Sequence, residues 1–161
     1  METGNYNDHK NWEKYEVSRF PLHLYYHTDF ESVGCGANAL ALITGDNPFK
    51  IRRLNKYRSD YTDAFMLKYL RQHKIKCLKL TKSNITNKKN NSGRISYDIT
   101  SKHVILISQL LSKAEASWFV IYDDLKFHNF SPATFTGLGM LNCPISSAYC
   151  LFNPQWSTST K

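Results

Sequence analysis

Cys35 is the residue of this chain whose type and neighbours could set up covalent chemistry. It stands in the glycine turn Ser32-Val33-Gly34-Cys35-Gly36, and Ala37-Asn38-Ala39-Leu40-Ala41-Leu42-Ile43-Thr44 follows at once, a run of mostly strong helix formers that Gly45 closes. The pattern predicts a helix that begins at Cys35. At such a start the sulfur lies beside backbone N–H groups without helical partners and at the positive end of the helix dipole. Both favour the thiolate, the nucleophilic form. The alternative is a small core cysteine that closes a glycine turn.

The other chemistry-bearing residues give less. Cys77, Cys143 and Cys150 form no Cys-x-x-Cys pair with one another or with Cys35, and the six histidines are scattered without metal-ligand spacing. Neither a zinc site nor a disulfide framework is expected, and no cofactor. Among the histidines, His128 lies in an aromatic stretch near the C-terminal end and His103 in an apolar run, while His73 closes an exposed helical pattern.

The elements that must position Cys35 are legible in outline. A chain of 161 residues, 42% of them hydrophobic, can bury one good core, so a single domain over residues 20–156 is expected. Residues 1–19 are polar and aromatic without a period and read as an N-terminal arm, and 157–161 as a flexible tail. No apolar run approaches the roughly 20 residues needed to cross a bilayer, and the first ten residues are polar where a secretory signal would be apolar. A soluble, cytoplasmic protein with no membrane partner is expected. The formal charge of +8 permits an acidic protein or a nucleic acid as partner without localising a site.

In chain order, Phe20 to Tyr26 has the content of a short extended segment. Asn47-Pro48 starts a second helix, with Phe49, Ile51, Leu54 and Tyr57 at nearly helical spacing, and Ser59 to Asp63 caps a third that runs to Gln72-His73. Ile75 to Leu80 partly alternates, as a strand with one wet face does. Ser83 to Gly93 is a polar loop, and Lys82, Lys88, Lys89 and Arg94 make it and its flanks basic. Thr100-Ser101 caps a largely buried helix expected over Lys102 to Lys113. Ser117 to Tyr122 and Lys126 to Phe130 flank Asp123-Asp124-Leu125 as a hairpin, and Ser146 to Phe152 supplies a further strand after a Gly137 to Pro144 loop. Helices first and sheet afterwards indicate an α+β domain.

This order of elements, with its helix-starting Cys-Gly and the Ala-Leu-x-x-Ile-Thr-Gly that follows, resembles papain-like cysteine peptidases. It is similar in particular to the small branch of double-glycine leader peptidases of bacteriocin exporters and to related small proteins of tailed bacteriophages. The resemblance spans roughly Asp29 to Phe152. It implies a papain-like fold, an N-terminal helical part whose cysteine helix packs on a C-terminal antiparallel sheet. It also implies a cysteine-dependent hydrolase or acyl transferase of peptidase or deamidase type. In that family the thiolate attacks an acyl carbon, a histidine acts as base and then acid, an Asp or Asn orients it, and backbone N–H with an upstream Gln stabilises the oxyanion.

Carried over by position, the nucleophile is Cys35 and the orienting residue Asn129. The family's histidine position falls on Ser117, and the Gln position on Asp29. His128 is then the candidate base by elimination, although adjacent strand residues point to opposite faces, so that His128 and Asn129 share a task only if the strand is locally turned. Three readings follow: an active hydrolase acting on a host or viral protein, a catalytically degraded relative that binds a host protein, and a basic nucleic-acid-binding protein.

Overall fold

Gly34 carries the chain into its first helix at φ 88, ψ 156, and Gly45 leaves it at φ 86, ψ 0. Both are left-handed values that glycine adopts without a Cβ penalty, which is why the helix begins and ends where the glycines stand. The computed structural model describes residues 3–5, 17–19, 34–80, 103–110, 116–123, 125–128, 131–134 and 145–158. Its elements are β1 (Thr3–Asn5), β2 (Val17–Arg19), α1 (Cys35–Thr44), α2 (Pro48–Leu54), α3 (Asp63–Gln72), β3 (Lys76–Lys79), β4 (Val104–Leu110), β5 (Ala116–Tyr122), β6 (Leu125–His128), β7 (Ser131–Thr134), β8 (Ile145–Phe152) and β9 (Ser157–Thr158).

The helices form where local chemistry supports them. Asn47 accepts the Phe49 N–H at 2.8 Å and Pro48 fills the first helical position, so α2 starts with one orphan donor satisfied and another absent. Thr62 caps α3 in the same way through the Phe65 N–H, with Asp63 in the first turn where the helix dipole favours a carboxylate. α3 buries Met66, Tyr69 and Leu70 on one face. α1 is buried from Gly36 to Ile43, because its alanines and leucines leave no polar stripe to present to water.

Seven strands make one sheet in the order β1-β3-β8-β4-β5-β6-β7, and β2 pairs with β9 in a second, two-stranded sheet. Among the described residues only the β1–β3 pairing is parallel; the other pairs are antiparallel. The architecture is α+β. The expected arm and tail thus contribute paired strands at Thr3–Asn5, Val17–Arg19 and Ser157–Thr158.

The helix expected over Lys102 to Lys113 is instead β4, between β5 and β8. Val104 to Ile107 are fully buried, and a strand covered on both faces loses the alternation that would distinguish it from a buried helix. The β-branched residues Val104, Ile105 and Ile107 are the surviving strand signal. In the hairpin, Tyr122 pairs with Leu125 across a two-residue turn that Asp123 enters at φ 55.

The α1 face of the sheet follows from the core cluster. Val104, Leu106, Trp118, Val120, Phe127, Tyr149 and Leu151 pack with α1, Ile51 and the buried face of α3. Ile105, Ile107, Phe119 and Ile121 alternate with them and are also buried, on the opposite face. The segments Phe20 to Tyr26, Ser83 to Gly93 and Gly137 to Pro144 lie outside the described residues.

Candidate active site around Cys35

Cys35 is the first residue of α1 and is partly exposed. The backbone N–H of Trp118, in the first half of β5, donates to its Sγ at 3.1 Å. No side chain caps this end of α1, so the sulfur shares it with the backbone N–H groups of the first turn. A donor from the sheet and a helix start therefore converge on one sulfur.

Tyr61 closes the site from the side. Its ring lies against the first turn of α1 so tightly that a Cβ on Gly36 would stand 2.3 Å from the ring's Cγ. That explains a glycine inside a helix otherwise built of good helix formers. The Tyr61 carbonyl accepts the Trp118 indole Nε1–H at 2.9 Å, tying the α2–α3 connection to β5. Burial pushes the Tyr61 phenol up to about 12; the nearby Arg52 charge opposes the shift, Cys35 adds to it, and a hydrogen bond with Asn55 opposes it. Tyr61 is therefore within electrostatic reach of both Cys35 and Arg52.

The register of the hairpin decides which β5 residue serves this site. Trp118 belongs to the α1-facing set with Val120, and it pairs with Ser108. Ser117, where the resemblance puts the family's histidine, is of the other parity, buried, and pairs with Gln109. The position of β5 that faces Cys35 is occupied by Trp118, 1% exposed, a residue that sequence reasoning did not single out. Tyr61 was missed as well, although Gly36 inside the helical run was a signal that another group approaches closely.

The other candidates are placed as follows. His128 ends β6 and pairs with Ser131. Asn129, Asp29, His9, His23, His27 and Cys143 lie outside the described residues. His103 is fully buried just before β4, five residues from the Ser108 that pairs with Trp118, hence about 16 Å along the strand from the Cys35 end. His73 follows α3, its Nε2 2.8 Å from Asp46 Oδ2 and its Nδ1 donating to the Tyr69 carbonyl at 3.0 Å. Asp46 comes just after the C-terminal end of α1, about 15 Å from Cys35 along that helix.

Tyr69 also donates to Asp46 Oδ2. Burial raises the Asp46 carboxyl, but hydrogen bonds from Tyr69 and His73 and the charges of His73 and Lys50 outweigh it and hold the group below the ordinary carboxylate range. Tyr149 donates to Asp63 at 2.6 Å, joining β8 to the start of α3. Burial pushes the Cys77 thiol up to about 12 and the Cys150 thiol higher still, which disfavours the thiolate at both. Among the described residues no group of three or more His, Cys, Asp or Glu is arranged to hold a metal ion, and no helix is long and apolar enough to cross a membrane.

No protein-family model, no curated protein and no solved structure matches this chain.

Proposed function

We propose that this chain is a cysteine-dependent hydrolase or acyl transferase of papain-like architecture, of peptidase or deamidase type, with Cys35 as its nucleophile. The observation that carries the reading is the convergence on one partly exposed sulfur of a helix start and the Trp118 N–H. In the proposed reaction Sγ attacks an acyl carbon, and the carbonyl electron pair moves onto oxygen at the α1 N-terminus. The leaving amine takes a proton from an imidazolium, for which the sequence offers His128; Asn129 is the orienter that the resemblance implies, and the two serve together only where the strand is turned between them. Water, giving a proton back to that imidazole, then releases the acyl group from the thioester.

A second reading is favoured by one specific observation. Trp118 occupies the β5 position that faces Cys35, and an indole has no basic nitrogen. A relative that has lost its base and uses the same fold to bind a host protein would look like this.

Alkylation of the native protein separates the two. In the active reading iodoacetamide at about pH 6 modifies Cys35 about tenfold or more faster than it modifies a small free thiol, and His128→Ala removes most of the difference. Cys35 that reacts no faster than the free thiol, unaffected by His128→Ala, contradicts the enzyme and leaves the binding protein.

A further inference from the structure

Part of the excess charge of this chain lies on α2 and the turn that follows it. Between Asp46 and Lys74 stand eight Lys and Arg against three Asp, a local net charge of +5. Two of those carboxylates are engaged, Asp46 by Tyr69 and His73 and Asp63 by Tyr149. The densest part is α2 with the turn that ends it, where Lys50, Arg52, Arg53, Lys56 and Arg58 fall within nine residues that contain no acid.

The same turn displays large side chains. Tyr57 is 64% exposed and Leu54 53%, and the Arg52 guanidinium lies 5.7 Å from the centre of the Tyr57 ring. The backbone holds them there in a conformation that glycine would adopt more easily. The Lys56 N–H donates to the Arg53 carbonyl at 2.9 Å and the Tyr57 N–H to the Arg52 carbonyl at 3.0 Å. Both residues sit in the left-handed region, at φ 56 and 58. In a cap of this kind the first left-handed residue is usually glycine. Here that position carries a lysine and the next a tyrosine, so the turn accepts backbone strain and presents a cation and a ring to solvent.

We propose that α2 and its C-terminal turn bind single-stranded nucleic acid, with Arg53, Lys56 and Arg58 on phosphates and Tyr57, backed by Arg52, as the platform on which a base stacks. A basic groove interleaved with aromatic faces is the recurring solution for single strands, because every unstacked base offers a π-face and every nucleotide a phosphate. An acidic polypeptide would use the cations and leave the Tyr57 ring without a role. Duplex would satisfy the cations too, but its bases are already stacked. The proposal does not rest on the chemistry of Cys35.

The experiment is fluorescence anisotropy of a labelled twelve-nucleotide oligothymidine with the full chain. It uses Tyr57→Ala, Arg53→Glu, Lys56→Gly and Cys35→Ser beside wild type, and the thermal midpoint of each variant as a check on folding. Binding is expected to weaken steeply with salt, and the log–log slope to fall by about 0.7 for each phosphate that Arg53→Glu or Lys56→Gly leaves without its cation. Tyr57→Ala weakens binding about tenfold. Lys56→Gly raises the thermal midpoint while weakening binding, a combination that damage to the fold would not produce. Cys35→Ser binds as wild type does, so failure of the enzyme reading and failure of this proposal remain distinguishable. No salt-sensitive binding, Tyr57→Ala indistinguishable from wild type, or equal competition by a polyglutamate of the same charge overturns it, the last assigning the surface to acidic polypeptides.

Discussion

Gly36 has no room for a side chain. An added Cβ would meet Tyr61 Cγ at 2.3 Å and Tyr61 Cβ at 2.6 Å, atoms close to the backbone that cannot swing away. Gly36→Ala is therefore expected to destabilise the fold by about 1–3 kcal/mol, as overpacking does, despite the higher helix propensity of alanine. Urea denaturation checks this, and the double variant with Tyr61→Ala should lose less than the sum of the two single losses, because the second substitution removes the ring that the first one strikes. Asp46 gives a prediction of different kind. Its carboxyl ionises below the ordinary value of about 3.9, so its contribution to stability is complete above that value and is lost as pH falls through the lower, folded value. Asp46→Asn should lower the thermal midpoint at pH 7, and the gap to wild type should close as pH falls below about 4. A gap independent of pH would mean that the carboxylate charge does not matter there. The place of Cys35 at a helix start was legible at this scale because glycines mark both ends of that helix. Trp118 was not, because whether position 117 or 118 faces the cysteine depends on strand parity, which is set by the side on which α1 packs.

At the scale of elements, what positions the sulfur is the packing of α1 on β5 and β6, with α2 and α3 completing that layer. Caps and period made the three helices readable: Asn47-Pro48, Thr62-Asp63 and the apolar spacing of α3 are local signals that the tertiary structure does not override. β4 carried no such signal. Buried on both faces between β5 and β8, it opens on an unbroken apolar run from Val104 to Ile107 with no polar alternation, and Thr100-Ser101 before it imitates a helix cap. Its central place in the sheet has an energetic consequence. Leu106→Ala, at a fully buried position, should lose about 2–5 kcal/mol by cavity formation. Leu54→Ala, at a side chain 53% exposed, should stay within about 0.5 kcal/mol of wild type. Denaturant titrations of the two variants compare them directly, and equal losses would contradict the placement of β4 in the core.

Across the whole molecule, the helical layer does two separate things with its two ends and outer face. The N-terminal end of α1 meets β5 and holds the one partly exposed thiol among the described residues, while the outer face of α2 gathers the cations. The cations from Lys50 to Arg58 were visible in the sequence but their setting was not, because the run acquires meaning only when α2 and its turn place Leu54 and Tyr57 in solvent beside it. Cys35, the proposed nucleophile, must turn over if the chain is an acyl-transferring enzyme. Intact-protein mass spectrometry during reaction with a p-nitrophenyl acyl ester tests it most directly. A rapid burst of one acyl group on Cys35 is expected, followed by steady release that is absent in Cys35→Ser, while Cys77 and Cys150 remain unmodified until the protein is unfolded. An acyl adduct that forms at the rate of a small free thiol and then persists without hydrolysis would contradict it.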